Sequence, residues 1–287
     1  MTRVRLGTIH LQTIGWLDLA QEFRDAEASG VDVAYVADHL THPTLTGSFI
    51  ADGWSVLAAA SQVTRRIDLG TLVGSAGFRS PLPLARTAAT VQEVSGGRFV
   101  LGLGAGTAGD VAAATGEQLT AGDLARRFAD SVATLDRIFR GEQPGVDSLP
   151  VAPGRARPFL MLAAHGRRGF DLVGRYADGW STYGGPASVS LEAAAYWDLL
   201  AEQTVAVDDA CRRHDRDPAR LRRSLLLGYG TIRPVESVAA FTECLERAEA
   251  QGFDEVVVYW PRSDDARFAA DPAVFADCLA VARGQLS

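Results

Sequence analysis

Five histidines stand in this 287-residue chain, and four of them follow short apolar stretches that read as strands. His10 comes after 4–9, His39 and His42 after 33–37, and His165 after 158–163. An imidazole titrates near neutrality, so it can give or take a proton at a reacting atom under ordinary conditions. His39 is preceded by Asp38, and the two together are the candidate catalytic residues; the bland alternative is a turn-capping aspartate beside a surface histidine. His10 reads either as a ligand contact or as filling for the same face. His42 sits beside Pro43 in a loop, and His214, among arginines at a helix end, reads as structural. A metal centre built from His10, Asp38, His39 and His165 lacks HxH or HExxH spacing, so no metal is expected.

Two further stretches suit a ligand. In 95–106 (SGGRFVLGLGAG), Gly96 and Gly97 close a helix-like pattern and 99–101 reads as a buried strand. Gly102, Gly104 and Gly106 are then expected beyond its carboxyl end, where missing side chains let backbone approach a flat or phosphorylated group. The segment Ala164, His165, Gly166, Arg167, Arg168 joins a strand to a helix start. Backbone amides at a helix amino terminus, with arginines beside them, bind phosphate well; an ordinary loop with exposed arginines is the alternative.

These positions need a scaffold that brings strand ends together. Strand-like stretches at 4–9, 33–37, 67–73, 99–101, 158–163, 179–182, 224–229 and 255–259 alternate with helix-like stretches. The latter include 16–28, 53–63, 84–94, 124–139, 169–176, 235–250 and 273–282, with a long helical region at 188–214 that contains a break. The span 104–122 reads as a loop. Eight strand–helix repeats without a composition shift predict an α/β fold, a single (β/α)8 barrel domain over 1–287. In such barrels ligands bind at the carboxyl ends of the strands, which is where four of the five histidines fall, together with Arg79, Tyr183, Tyr229 and Trp260.

Composition narrows the chemistry. The net charge of −7 disfavours nucleic-acid partners. No run of about 20 apolar residues predicts a membrane span, and no signal peptide is read, so a cytoplasmic protein is expected. Three separated cysteines make no CxxC, in keeping with a reducing compartment. All 28 basic residues are arginine. Without lysine the chain excludes Schiff-base, pyridoxal-phosphate and P-loop lysine chemistry.

Four segments resemble the luciferase-like monooxygenase superfamily: 30–39, ending in Asp38-His39; 67–81, with Phe78-Arg79-Ser80-Pro81; 95–106; and 176–180, Tyr-Ala-Asp-Gly-Trp. The short chain is most similar to the compact branch that uses coenzyme F420. The resemblance implies a barrel holding a deazaflavin (F420) or, alternatively, FMN, and an oxidoreductase moving hydride to or from a small organic substrate. An FMN monooxygenase served by a separate reductase, and a non-catalytic flavin-binding protein, are the other readings. It also implies a bulge with a non-prolyl cis peptide around Leu72, Val73 and Gly74, a cofactor phosphate at 164–169, and a homodimer. The family's sugar-phosphate dehydrogenases carry a tryptophan where Pro43 and Thr44 stand, and a glutamate where Thr107 stands. Oxidation of glucose 6-phosphate is therefore not expected, and Asp110 is the candidate replacement for the acid.

Overall fold

The computed structural model describes residues 4–41, 47–148, 151, 154–262 and 268–284. The strands are β1 (Arg5–Ile9), β2 (Val33–Val36), β3 (Asp68–Thr71), β4 (Gly74–Ser75), β5 (Phe99–Gly104), β6 (Phe159–Ala163), β7 (Gly179–Thr182), β8 (Arg222–Leu226) and β9 (Glu255–Tyr259). Every pairing is parallel. β1 pairs with β2 on one side and β9 on the other, and the direct pairing of β3 with β5 closes the ring. β4 continues β3 after a break, so the nine segments make eight barrel strands. The structure is a closed (β/α)8 barrel.

The helices are α1 (Trp16–Ala28), α2 (Gly53–Val63), α3 (Pro81–Val94), α4 (Ala108–Thr115), α5 (Ala121–Arg140), α6 (Arg167–Tyr176), α7 (Ala193–Arg213), α8 (Val238–Ala250) and α9 (Pro272–Ala282). Their starts follow local chemistry. Asp52 accepts the Ser55 amide, Thr120 and Asp123 form a reciprocal capping box, and prolines open α3 and α9. The break expected within 188–214 falls at Leu191 and Glu192, between a 3-10 turn, Pro186–Ser190, and the continuous helix α7.

Two apolar layers result. Leu19, Phe23, Leu57, Leu84, Val132 and Trp180 pack helices against the outside of the sheet. Ile9, Tyr35, Val100, Met161 and Val257 fill the barrel itself. Glu255 also lies inside, fully buried; the Tyr35 and Ser224 hydroxyls donate to it, each at 2.8 Å. Burial pushes its carboxyl up, against the pull of Arg5 and these hydrogen bonds.

Two expectations change here. The span 104–122 contains α4, whose first turn is signalled by Thr107: its hydroxyl accepts the Asp110 amide. A short Ala-Gly-rich helix has little periodicity, so only this cap marked it. β5 also runs on through Gly102 and Gly104, so those glycines belong to the strand instead of the loop beyond it. A side chain at Gly102 would strike the Thr71 carbonyl, so the strand needs glycine to pass the break between β3 and β4.

Candidate functional site

The carboxyl ends of the strands surround a cavity of about 2370 Å3, larger than the roughly 300–1,000 Å3 of most small-molecule pockets. Its floor is apolar, with Ile9, Leu72, Val73 and Leu226. The Leu72–Val73 peptide is cis and falls at the break between β3 and β4. This is the position at which the family resemblance implied a bulge.

His39 stands on the cavity wall. Its Nδ1 lies 2.9 Å from Asp110 Oδ2, and about 35% of its side chain is exposed. Asp110 is fully buried behind it. The Leu40 and Thr41 amides donate to its other oxygen, each at 2.8 Å, and the Thr107 hydroxyl donates at 2.9 Å. Burial pushes this carboxyl up, but hydrogen bonds from His39, the Thr41 amide and Thr107, with the His39 charge, outweigh it and hold the pKa at about 2. A carboxylate so fixed orients an imidazole from behind and favours a proton on Nδ1. Thr107, at the position of the family's glutamate, supports this pair and presents no acid to the cavity.

The cavity extends to the start of α6. His165, Gly166, Arg167 and Arg168 all line it, as does Ala164. No side chain caps the amino terminus of α6, and no described atom lies within 4 Å of where a Gly166 side chain would begin. An open helix amino terminus with two arginines in its first turn has the chemistry of an anion cradle. Beside it, His165 Nδ1 is 3.2 Å from the Thr182 hydroxyl and its ring meets the edge of Tyr183. Burial pushes the His165 imidazole down to about 4.

Four expected positions do not face the cavity. His10 is completely buried between Phe23 and Trp260, with Nε2 2.9 Å from the Thr8 hydroxyl and Nδ1 3.1 Å from Glu22. The alternation of side chains along β1 turns it outward, toward α1. Gly74 packs against Trp54 and Leu103, and Gly102 against Thr71. Asp38 is a brace: Arg79 grips it through two bonds of 2.7 and 2.6 Å, while the Trp54 indole and the Ser75 amide also donate to it. Its oxygens are saturated, so its contribution is to hold the β3–β4 break. Gly104 and Gly106 do line the cavity. His42, Pro43 and Thr44 lie outside the described residues, and His214 bonds to Asp171 on α6.

Tyr183 and Tyr229, expected at strand ends, do line the cavity, whereas sequence reasoning left out the Asp110–Thr107 support and the aromatic side chains of Tyr259 and Phe268 beside them. The Thr107–Asp110 spacing was the available signal for the first; nothing local marked the second. Among the described residues no group of three or more His, Cys, Asp or Glu could hold a metal ion, and no helix is long and apolar enough to cross a membrane.

The fold and the cavity define a (β/α)8 barrel protein with a large cavity at the strand carboxyl ends. Residues 2–229 match the luciferase-like monooxygenase family, and the chain belongs to that family. Its members are oxidoreductases or monooxygenases that use F420 or a flavin. The 4-hydroxyprotoasukamycin monooxygenase of Streptomyces nodosus subsp. asukaensis is 30% identical over 183 residues, covering 57% of this chain. The chain spans about half the length of that protein, 48%. An F420-dependent glucose-6-phosphate dehydrogenase of Intrasporangium calvum is 25% identical, with 89% of this chain and 95% of that protein covered. In fold, the chain superposes on an F420-dependent secondary alcohol dehydrogenase solved with an F420–acetone adduct. The TM-score is 0.80 and both chains are covered completely, at 16% identity.

Proposed function

We propose that the protein is an F420-dependent oxidoreductase that moves hydride between the deazaflavin and a small organic substrate. The observation that carries this reading is His39, held by a buried carboxylate on the wall of a cavity with an apolar floor and an anion cradle at its far side. The residues present fit a flat group with an anionic tail: Leu72 and Val73 offer a flat apolar support, and the start of α6 with Arg167 and Arg168 offers donors. When bound, the deazaflavin supplies the carbon that accepts or gives the hydride.

The chain's own residues do the rest. Arg167, Arg168 and the first amides of α6 bind the phosphate and so fix where the ring lies. Leu72, Val73 and the apolar floor keep water from the reacting face. His39, oriented by Asp110, takes the proton from a substrate hydroxyl at Nε2, or returns it to a carbonyl oxygen in the reverse direction. Gly104 and Gly106 keep the backbone low at the cavity edge.

Separate titrations with F420 and with FMN, followed by fluorescence, test the reading. Tight binding of F420 alone supports it. Preference for FMN would make the protein a monooxygenase supplied by a reductase, the reading that the monooxygenase relative favours. Binding of neither would remove both.

A further inference from the structure

His165 stands directly before Gly166, the residue that opens α6, and has no part in the proton transfer assigned to His39. Its ring is held on two sides. The edge of Tyr183 meets it with centroids 4.6 Å apart, and a side-chain carbon at Gly185 would come within 2.9 Å of its Cβ. Nδ1 faces the Thr182 hydroxyl at 3.2 Å. Nε2 has no hydrogen-bond partner among the described residues, and the residue lines the cavity.

The hydrogen bonds behind the ring fix where its proton lies. Gln203, buried on α7, donates from Nε2 to the Gly184 carbonyl at 2.8 Å, so its Oε1 is the end that faces Thr182. The buried Thr182 hydroxyl has one proton, and directs it to that Oε1 at 2.8 Å. Of the two lone pairs on Thr182 Oγ1, the Gly184 amide occupies one at 2.9 Å. The other is left for His165, so Nδ1 is the donor and carries the proton. Burial keeps the ring neutral near neutral pH, so Nε2 holds a bare lone pair. The cavity therefore has a fixed acceptor beside the start of α6. Such an acceptor favours a hydroxyl or N–H and repels a carbonyl or phosphoryl oxygen.

We infer that His165 selects the hydroxylated chain of the ligand: Nε2 accepts a hydrogen bond from a hydroxyl next to the phosphate held at α6. Thr182 and Gln203 act through His165 as positioning residues that keep its proton on Nδ1. This inference rests on the proposed cofactor reading and deepens it, since F420 and FMN both join ring to phosphate through a hydroxylated chain. A phosphate on a plain alkyl chain would leave Nε2 without its donor.

Two measurements test this. Nitrogen NMR of protein labelled at histidine, with the His165 signals assigned by their loss in His165→Gln, should find the proton on Nδ1. Calorimetry should compare F420 and FMN, each with a synthetic analogue whose chain to the phosphate lacks hydroxyls. Gln203→Leu frees the Thr182 proton for Nδ1, so the His165 proton should move to Nε2. The ratio of affinities, hydroxylated over plain, should then fall about tenfold from its value in the parent, the order of one neutral hydrogen bond. Thr182→Val, which removes the acceptor behind Nδ1, gives the same comparison if Gln203→Leu fails to fold. A proton on Nε2 in the parent would overturn the proposal. So would a proton that stays on Nδ1 in Gln203→Leu, or a ratio that stays the same after the proton has moved. If neither F420 nor FMN binds the parent, the cofactor reading falls and the proposal with it; an unchanged ratio removes the proposal alone.

Discussion

Asp110 Oδ2 lies 2.9 Å from His39 Nδ1, from α4 across to the loop after β2, and four further donors from Leu40, Thr41 and Thr107 hold that carboxylate in place. The imidazole on the cavity wall therefore answers to a group 71 residues away in the chain. His39→Ala should lower turnover by about 100-fold or more, the range for loss of a general acid or base. Asp110→Asn should lower it by about tenfold or more, and the double variant should be little worse than His39→Ala alone, because both act through one imidazole. Steady-state kinetics of the three variants would show this; additive losses would separate the two residues.

Acid should weaken the fold through the same carboxylate. The folded Asp110 has its pKa at about 2, below its ordinary value of 3.8. A depressed carboxyl contributes stability above its unfolded pKa and loses that contribution as pH falls from about 4 toward 2. The contribution is on the order of 2 kcal/mol. Urea denaturation at stepped pH should show a smaller loss over this window in Asp110→Asn than in the parent.

His165 acts in a higher window. Burial keeps its imidazole neutral down to about 4, while the unfolded group protonates near 6.5. The unfolded chain therefore binds the extra proton first, and stability is lost as pH falls from about 6.5 to about 4. His165→Gln should make the melting temperature flatter across that range. An unchanged slope would show that another group governs it.

Asp38 and His39 are neighbours in sequence with different work. Asp38→Asn removes the charge that pairs with the half-buried Arg79 and should loosen the β3–β4 break that carries Leu72 and Val73. We expect a lower melting temperature together with weaker cofactor binding. His39→Ala removes one donor from Asp110 and should lower the melting temperature as well, but it should leave cofactor binding as it was, so cofactor titrations of the two variants separate brace from chemistry.

Gly104→Val tests how closely a ligand passes the end of β5. A first side-chain carbon at Gly104 would lie 2.7 Å from Val73 Cγ2, so Val73 must shift on the cavity floor. Cofactor affinity should fall by about tenfold or more, with far-UV circular dichroism unchanged. Undiminished affinity would mean that the ligand does not rest on this edge.

Much of this was set locally. The period of apolar residues, the caps at Asp52 and Thr120 and the proline that opens α3 determined the order of strands and helices, and eight repeats of that order determined a barrel. From the barrel it followed that strand ends carry the site, and His39, His165 and the 166–168 turn do line the cavity. Direction was not legible. His10 and His39 both follow strands, yet the pleat of β1 sends His10 between Phe23 and Trp260, while the loop after β2 leaves His39 on the cavity. The partner of His39 was not legible either, since Asp38 is next to it in sequence and Asp110 next to it in space. Side-chain facing and long-range pairing depend on how the closed sheet brings distant segments together, and only the tertiary structure decides them.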